Sequence, residues 1–211
     1  LTIAELGDRR ARRTAWLGGC LVLAQGVLGG VGVLLKTPTF TSAAHGTVAQ
    51  LTFATFAWLA YQLSDRYAAT EPVTTVPPGS GRRLALAGLG IMVVQTVFGA
   101  IARHGNSPHA LWTHVGNAFV VFVVATIATA YAQGRLGSAP GIKSTVRWIV
   151  LLLMVQICLG FVVLGVRNPK GKTQENVEQL TSAITISTHV VIGALLTMLM
   201  ATLAAHVFRA T

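Results

Sequence analysis

The sequence predicts an all-α fold: a polytopic membrane helix bundle with six transmembrane helices, arranged as three repeated helical hairpins in a single membrane domain covering residues 1–211. Hydrophobic residues make up 53% of the chain and charged residues only 10%, with a mean hydropathy of +0.64, whereas a soluble domain carries about 25% charged residues. Apolar runs recur at close to the ~20 residues that an α-helix needs to cross a bilayer. A polar pattern, glutamine followed by histidine, returns three times at corresponding places in those runs. Collagen-like, disordered and disulfide-scaffold chains are excluded by the same composition.

The runs and the breakers between them place helices at 14–35, 41–63, 84–102, 110–133, 146–166 and 181–208. The first follows Arg9-Arg10-Ala11-Arg12-Arg13 and lacks a small-residue cleavage site, so it reads as a retained span and not a signal peptide. Thr37-Pro38 separates it from the second helix, and Pro77-Pro78-Gly79-Ser80-Gly81 precedes the third. Gly105 to Pro108, Gly134 to Gly141 and Asn168 to Lys172 punctuate the remainder. Taken in pairs, the helices form hairpins at 14–63, 84–133 and 146–208, with connections too short for a soluble domain.

Sixteen Lys and Arg against six Asp and Glu give a net charge of +10. Arg9, Arg10, Arg12, Arg13, Arg66, Arg82, Arg83, Arg135, Lys143, Arg147 and Arg209 fall on one side of the predicted spans. Lys36, Arg103, Arg167, Lys170 and Lys172 fall on the other. The positive-inside bias then sets both termini in the cytoplasm, with a bacterial cytoplasmic membrane as the expected location. Loop cations beside apolar runs meet anionic headgroups of the lipid bilayer. No aromatic platform or recognition motif accompanies them, so no nucleic acid is expected as a partner. Cys20 and Cys158 both lie inside apolar runs and are expected to pack as small hydrophobes, without a disulfide.

The repeat is specific in its spacing. Gln25-x-x-Leu28-Gly29, Gln95-x-x-Phe98-Gly99 and Gln156-x-x-Leu159-Gly160 occupy the first helix of each hairpin. Each is followed early in the next helix by a histidine with a small residue one turn later: His45 with Ala49, His114 with Ala118, His189 with Gly193. The second, fourth and sixth helices run in the same direction, so all three histidines approach the same membrane face, the outer one by the charge count. At 1.5 Å per residue, His45 and His114 lie about 6 Å below their predicted helix starts and His189 about 12 Å.

A single intramembrane histidine is accounted for by an interhelical hydrogen bond. Repetition favours a different chemistry. Neutral imidazole ligates haem iron without bringing charge into lipid, and two imidazoles from opposing helices make a six-coordinate haem b. The Gly26-x-x-x-Gly30 surface, Gly99 and Gly160 offer close backbone approach, to a macrocycle or to a neighbouring helix. The repeated glutamines either fix a histidine tautomer or staple one helix to the next, the second being favoured. Arg103 and Arg167, with Lys36 third, stand at the outer helix ends, where they serve as propionate partners or as interfacial anchors. His104 and His109 fall in the connection between the third and fourth helices, and His206 at the opposite face. No Cys-x-x-Cys-His motif is present, which excludes covalent c-type haem, and there is no P-loop or G-x-S-x-G elbow.

With these residues the chain resembles the haem A synthase family of membrane haem enzymes. The segment Gln25-Gly-Val-Leu-Gly-Gly-Val-Gly-Val-Leu-Leu-Lys-Thr-Pro, with Ala-Ala-His45-Gly after it, is similar to that family's second hairpin. Gln95 to His104, with His114 in the ligand place, is similar to the third; Gln156 to Gly160 and Thr188-His189-Val-Val-Ile-Gly-Ala are similar to the fourth. The resemblance implies that His114 and His189 are the pair holding a haem b. It implies that His45 is one member of the pair at the haem being modified, haem O as substrate or haem A as product. The family's first hairpin, its outer-loop glutamate and its loop cysteine pair have no counterpart among these residues. Glu175 and Glu178, the outer-side carboxylates of this sequence, lie beside the other half and are not assigned a catalytic role.

Two functions follow from the resemblance. One is an oxidoreductase that converts the haem O methyl to a formyl for terminal oxidase biogenesis. The other is a non-enzymatic haem b subunit for electron transfer, within a homo-oligomer or a larger respiratory or photosynthetic membrane complex. Fold analogy does not choose between them. A haemless structural or transport subunit, keeping the hairpins for packing alone, is the third.

Overall fold

A computed structural model describes residues 8–74, 78–105, 107–166 and 176–211. Arg167, Lys170, Lys172, Glu175 and the break expected at Asn168 to Lys172 lie outside the described residues, as does the side chain of Glu178. The described chain is helical: α1 (Arg9–Leu34), α2 (Thr39–Gln62), a short α3 (Asp65–Ala69), α4 (Pro78–His104), α5 (Pro108–Leu136), α6 (Ile142–Val166) and α7 (Asn176–Ala210).

All six long helices match the predicted ones, but most extend further into polar sequence. Hydropathy marks where a run stops being apolar, whereas a helix stops where its end groups are satisfied. Asp8 caps α1 by accepting from Arg10 N–H at 2.8 Å, so Arg9 to Arg13 are helical. Ser107 caps α5 by accepting from Ala110 N–H at 3.3 Å, with Pro108 directly behind it. The Pro77 to Gly81 stretch is not wholly a break: α4 starts at Pro78, where a missing N–H costs nothing. α5 runs through Gly134, and the turn to α6 is closed by Gly141 at φ +89°, a conformation suited to glycine.

Consecutive long helices pack against each other, α1 on α2, α4 on α5 and α6 on α7, while α2, α4 and α7 also pack mutually. Those three form the centre. Half of the most apolar window of α7 is buried, against 11% for α1, so α7 is the axis and α1 an outer helix. The tightest core lies away from the histidines and joins Ala128, Ala132, Leu136, Ile149, Met200 and Leu203 of α5, α6 and α7.

Five helices, all the long ones except α2, are long and apolar enough to cross a membrane. α2 is equal in length but diluted by threonines, His45 and Gln50. Its hydroxyls bond within the helix: Thr47 to Ala43 O (2.9 Å), Thr52 to Val48 O and Thr55 to Leu51 O (both 2.8 Å). Packed between α1, α4 and α7, it tolerates a polarity that the outer helices do not. The chain is thus an α-helical bundle with the composition of an integral membrane protein.

Candidate functional site

Each repeat folds into the same local device. A glutamine and a glycine four residues on share one face of a helix, and that face meets the histidine of the following helix. Gln25 Nε2 donates to the His45 carbonyl at 2.8 Å, and Gln95 Nε2 to the His114 carbonyl at 3.0 Å. In the third repeat Gln156 Nε2 stands 3.2 Å from His189 Nε2. The glycine is the notch for the imidazole edge. A Cβ on Gly29, Gly99 or Gly160 would stand 3.4, 2.8 or 3.5 Å from Cε1 of His45, His114 or His189. The small residue after the histidine has its own reason: a Cβ on Gly193 would come within 3.0 Å of Gln156 Nε2.

The second repeat is the most elaborate. His114 Nδ1 lies 3.1 Å from the Gln95 carbonyl, an acceptor, so Nδ1 carries the proton and the Nε2 lone pair faces the Gln95 amide nitrogen at 3.4 Å. Asn117 Nδ2 donates to Gln95 Oε1 at 2.7 Å, turning the amide nitrogen of Gln95 toward the histidine. In the third repeat, His189 Nδ1 and Gln156 Oε1 are buried with no hydrogen-bond partner among the described residues. The protein alone leaves that imidazole underserved.

The two half-buried rings face each other. The centroids of His114 and His189 are 6.3 Å apart and their planes meet at 75°. Two metal–imidazole bonds of about 2 Å, each extended by roughly 1 Å from nitrogen to ring centre, span about 6 Å. The separation of the pair matches that of two rings on one metal, while Nε2 of each ring stands beside a glutamine amide nitrogen, at 3.4 Å for His114 and 3.2 Å for His189. Among the described residues no group of three or more His, Cys, Asp and Glu side chains converges on a metal position.

The remaining candidates are more scattered. His45 sits in an equivalent notch but is exposed and has no ring partner among the described residues. Arg103 is exposed in the last turn of α4, at the same end of the bundle as His114. Lys36 is exposed in the α1–α2 turn, where it and Thr37 take φ of 58° and 55°. His104 is exposed, its carbonyl receiving Thr39 Oγ1 at 3.0 Å, and His109 is exposed on the first turn of α5. Cys20 and Cys158 are unpaired and exposed, on outer helix surfaces and not in the core.

Two features have no signature in the sequence. Gln50 Oε1 accepts from Thr96 Oγ1 at 3.0 Å and is approached by Thr197 Oγ1 at 3.5 Å, so one amide oxygen ties α2 to α4 and α7. His206, only 1% exposed, lies against Tyr61 with ring centroids 3.9 Å apart, and neither of its nitrogens has a partner.

Fold and site together define a helical bundle of membrane type with one closely opposed histidine pair. Compared with protein-family models, curated proteins and solved structures, the chain matches none.

Proposed function

We propose that this chain is a haem A synthase-like membrane haem protein. On this reading it crosses the membrane six times as three hairpins and holds one haem b between His114 and His189. It serves the oxidation of the haem O methyl to a formyl for terminal oxidase biogenesis. The observation that carries the reading is the 6.3 Å opposition of two imidazoles delivered by two copies of the same Gln–Gly–His device. A haem b bound there supplies reversible one-electron transfer in a site of low polarity.

The chain's own residues do the positioning. The Gln95 carbonyl holds the Nδ1 proton of His114, and the Gln95 amide nitrogen, 3.4 Å from Nε2, would give up that contact when haem iron is bound. Gln156 aligns the His189 ring from the other side. Gly99 and Gly160 set how close each ring lies to its neighbouring helix. Arg103, with Arg167, neutralises propionates at the outer helix ends.

A reduced-minus-oxidised spectrum of the purified chain, with the extracted pigment identified by mass, tests the reading. One haem b per chain is expected; a preparation without a Soret band after hemin is supplied would overturn it. His45 supports a second reading, the non-enzymatic haem b subunit, because its ring stands exposed and unopposed among the described residues. Supplying haem O with a reductant and dioxygen separates the two, since only the enzyme yields haem A.

A further inference from the structure

The end of the bundle away from His114 and His189 carries its cations unevenly. Arg82 donates from Nε to Thr211 Oγ1 at 3.2 Å and lies 5.2 Å from the Phe208 ring centre. Arg209 donates to the Tyr67 carbonyl at 3.0 Å and covers that residue's ring at 4.8 Å. Arg83 donates to the Gly79 carbonyl at 3.1 Å. Lys143 and Arg147, in contrast, make no hydrogen bond or ion pair among the described residues. The sequence contains no Asp or Glu between Glu71 and Glu175, so α4, α5 and the start of α6 bring no carboxylate to them.

These two cations line one cavity of about 600 Å³, together with Gln133 of α5 and Ser144, Val146 and Val150 of α6. Residues 143, 146, 147 and 150 share one face of α6. Along that face the cations Lys143 and Arg147 give way to the exposed Val150 one turn further in, while Val146, 4% exposed, belongs to the core. A soluble anion would use the first part only, whereas a phospholipid presents a phosphate and then hydrocarbon in the same order.

We propose that the groove between α5 and α6 binds one anionic phospholipid, with its phosphate at Lys143 and Arg147 and its acyl chain along the exposed Val150. Nothing in this assignment depends on the haem reading. Each basic side chain at a membrane surface strengthens attraction to anionic lipid by about fivefold, so the pair contributes roughly thirtyfold.

The test uses the full chain in nanodiscs of mixed phosphatidylcholine and phosphatidylglycerol, extracted into detergent and examined by native mass spectrometry. One phosphatidylglycerol should remain on the protein, and K143Q/R147Q should weaken its retention roughly thirtyfold. The charge-preserving K143R/R147K should keep it. R83Q/R135Q, which removes equal charge from the same end, should also keep it. Helical circular dichroism confirms folding of each variant. Equal loss in R83Q/R135Q, equal retention of phosphatidylcholine, displacement by millimolar inorganic phosphate, or a lipid-free dimer closed over the groove would each overturn the proposal.

Discussion

The Gln–Gly–His device occurs three times in this molecule, yet its copies end in two different situations. In α4–α5 and α6–α7 it delivers two half-buried rings whose centres lie 6.3 Å apart. In α1–α2 it delivers His45 to an exposed position with no opposing ring among the described residues. The hydrogen bond from glutamine to the histidine carbonyl is nearly the same for His45 and His114, 2.8 and 3.0 Å. The device therefore orients a histidine against its own hairpin, and what the histidine can do depends on which hairpin stands opposite.

Substituting the histidines breaks this comparison most severely. His114→Ala or His189→Ala should each lower the haem content of the purified protein more than tenfold, since a six-coordinate site would keep a single axial ligand. His45→Ala should leave the content within about twofold, as pyridine haemochrome assay would report. Equal haem in all three variants would show that the pair is misassigned.

The notches give the next largest effect. Gly99→Ala places a Cβ 2.8 Å from His114 Cε1, so the ring or helix must shift, at a cost of about 1–3 kcal/mol. At Gly29 and Gly160 the corresponding distances are 3.4 and 3.5 Å. There, the improved helix propensity of alanine, up to about 1 kcal/mol, should make the change neutral or stabilising. Thermal unfolding of the three variants should rank Gly99→Ala alone below the parent. The smallest effect belongs to Gln50→Leu, which removes the amide oxygen shared by Thr96 and Thr197. A loss of about 0.6–1 kcal/mol is expected for such intramembrane hydrogen bonds, seen as a lower unfolding temperature with unchanged haem content.

Much of this arrangement was legible in the sequence because it repeats. The spacing from Gln95 to Gly99 and from His114 to Ala118 specifies a helix face without any knowledge of packing. The glycines were read as room for a macrocycle or a neighbouring helix; Gly99 and Gly160 receive the imidazole edge of the next helix, whereas nothing lies within 4 Å of a Cβ placed on Gly26 or Gly30. That close fit depends on how two helices are rotated against each other, which periodicity does not encode. The glutamines proved to do more than staple: Gln25 bonds a backbone carbonyl, whereas Gln95 and Gln156 also reach the rings. Gln50 was invisible because a lone polar residue in an apolar run has no motif, and its partners lie on two other helices. Helix starts were placed too late where Asp8 or Pro78 sets them, since capping is decided by backbone bonds and not by hydropathy. His206 was assigned to the correct end, but its burial against Tyr61 arises from tertiary packing.

Electron paramagnetic resonance of the ferric, haem-loaded chain bears most directly on the opposed pair. Two axial imidazoles set at 75° to each other should give a low-spin signal of the strongly anisotropic kind, from one six-coordinate haem per chain. A high-spin, five-coordinate haem, or a low-spin signal that survives unchanged in His189→Ala, would contradict it.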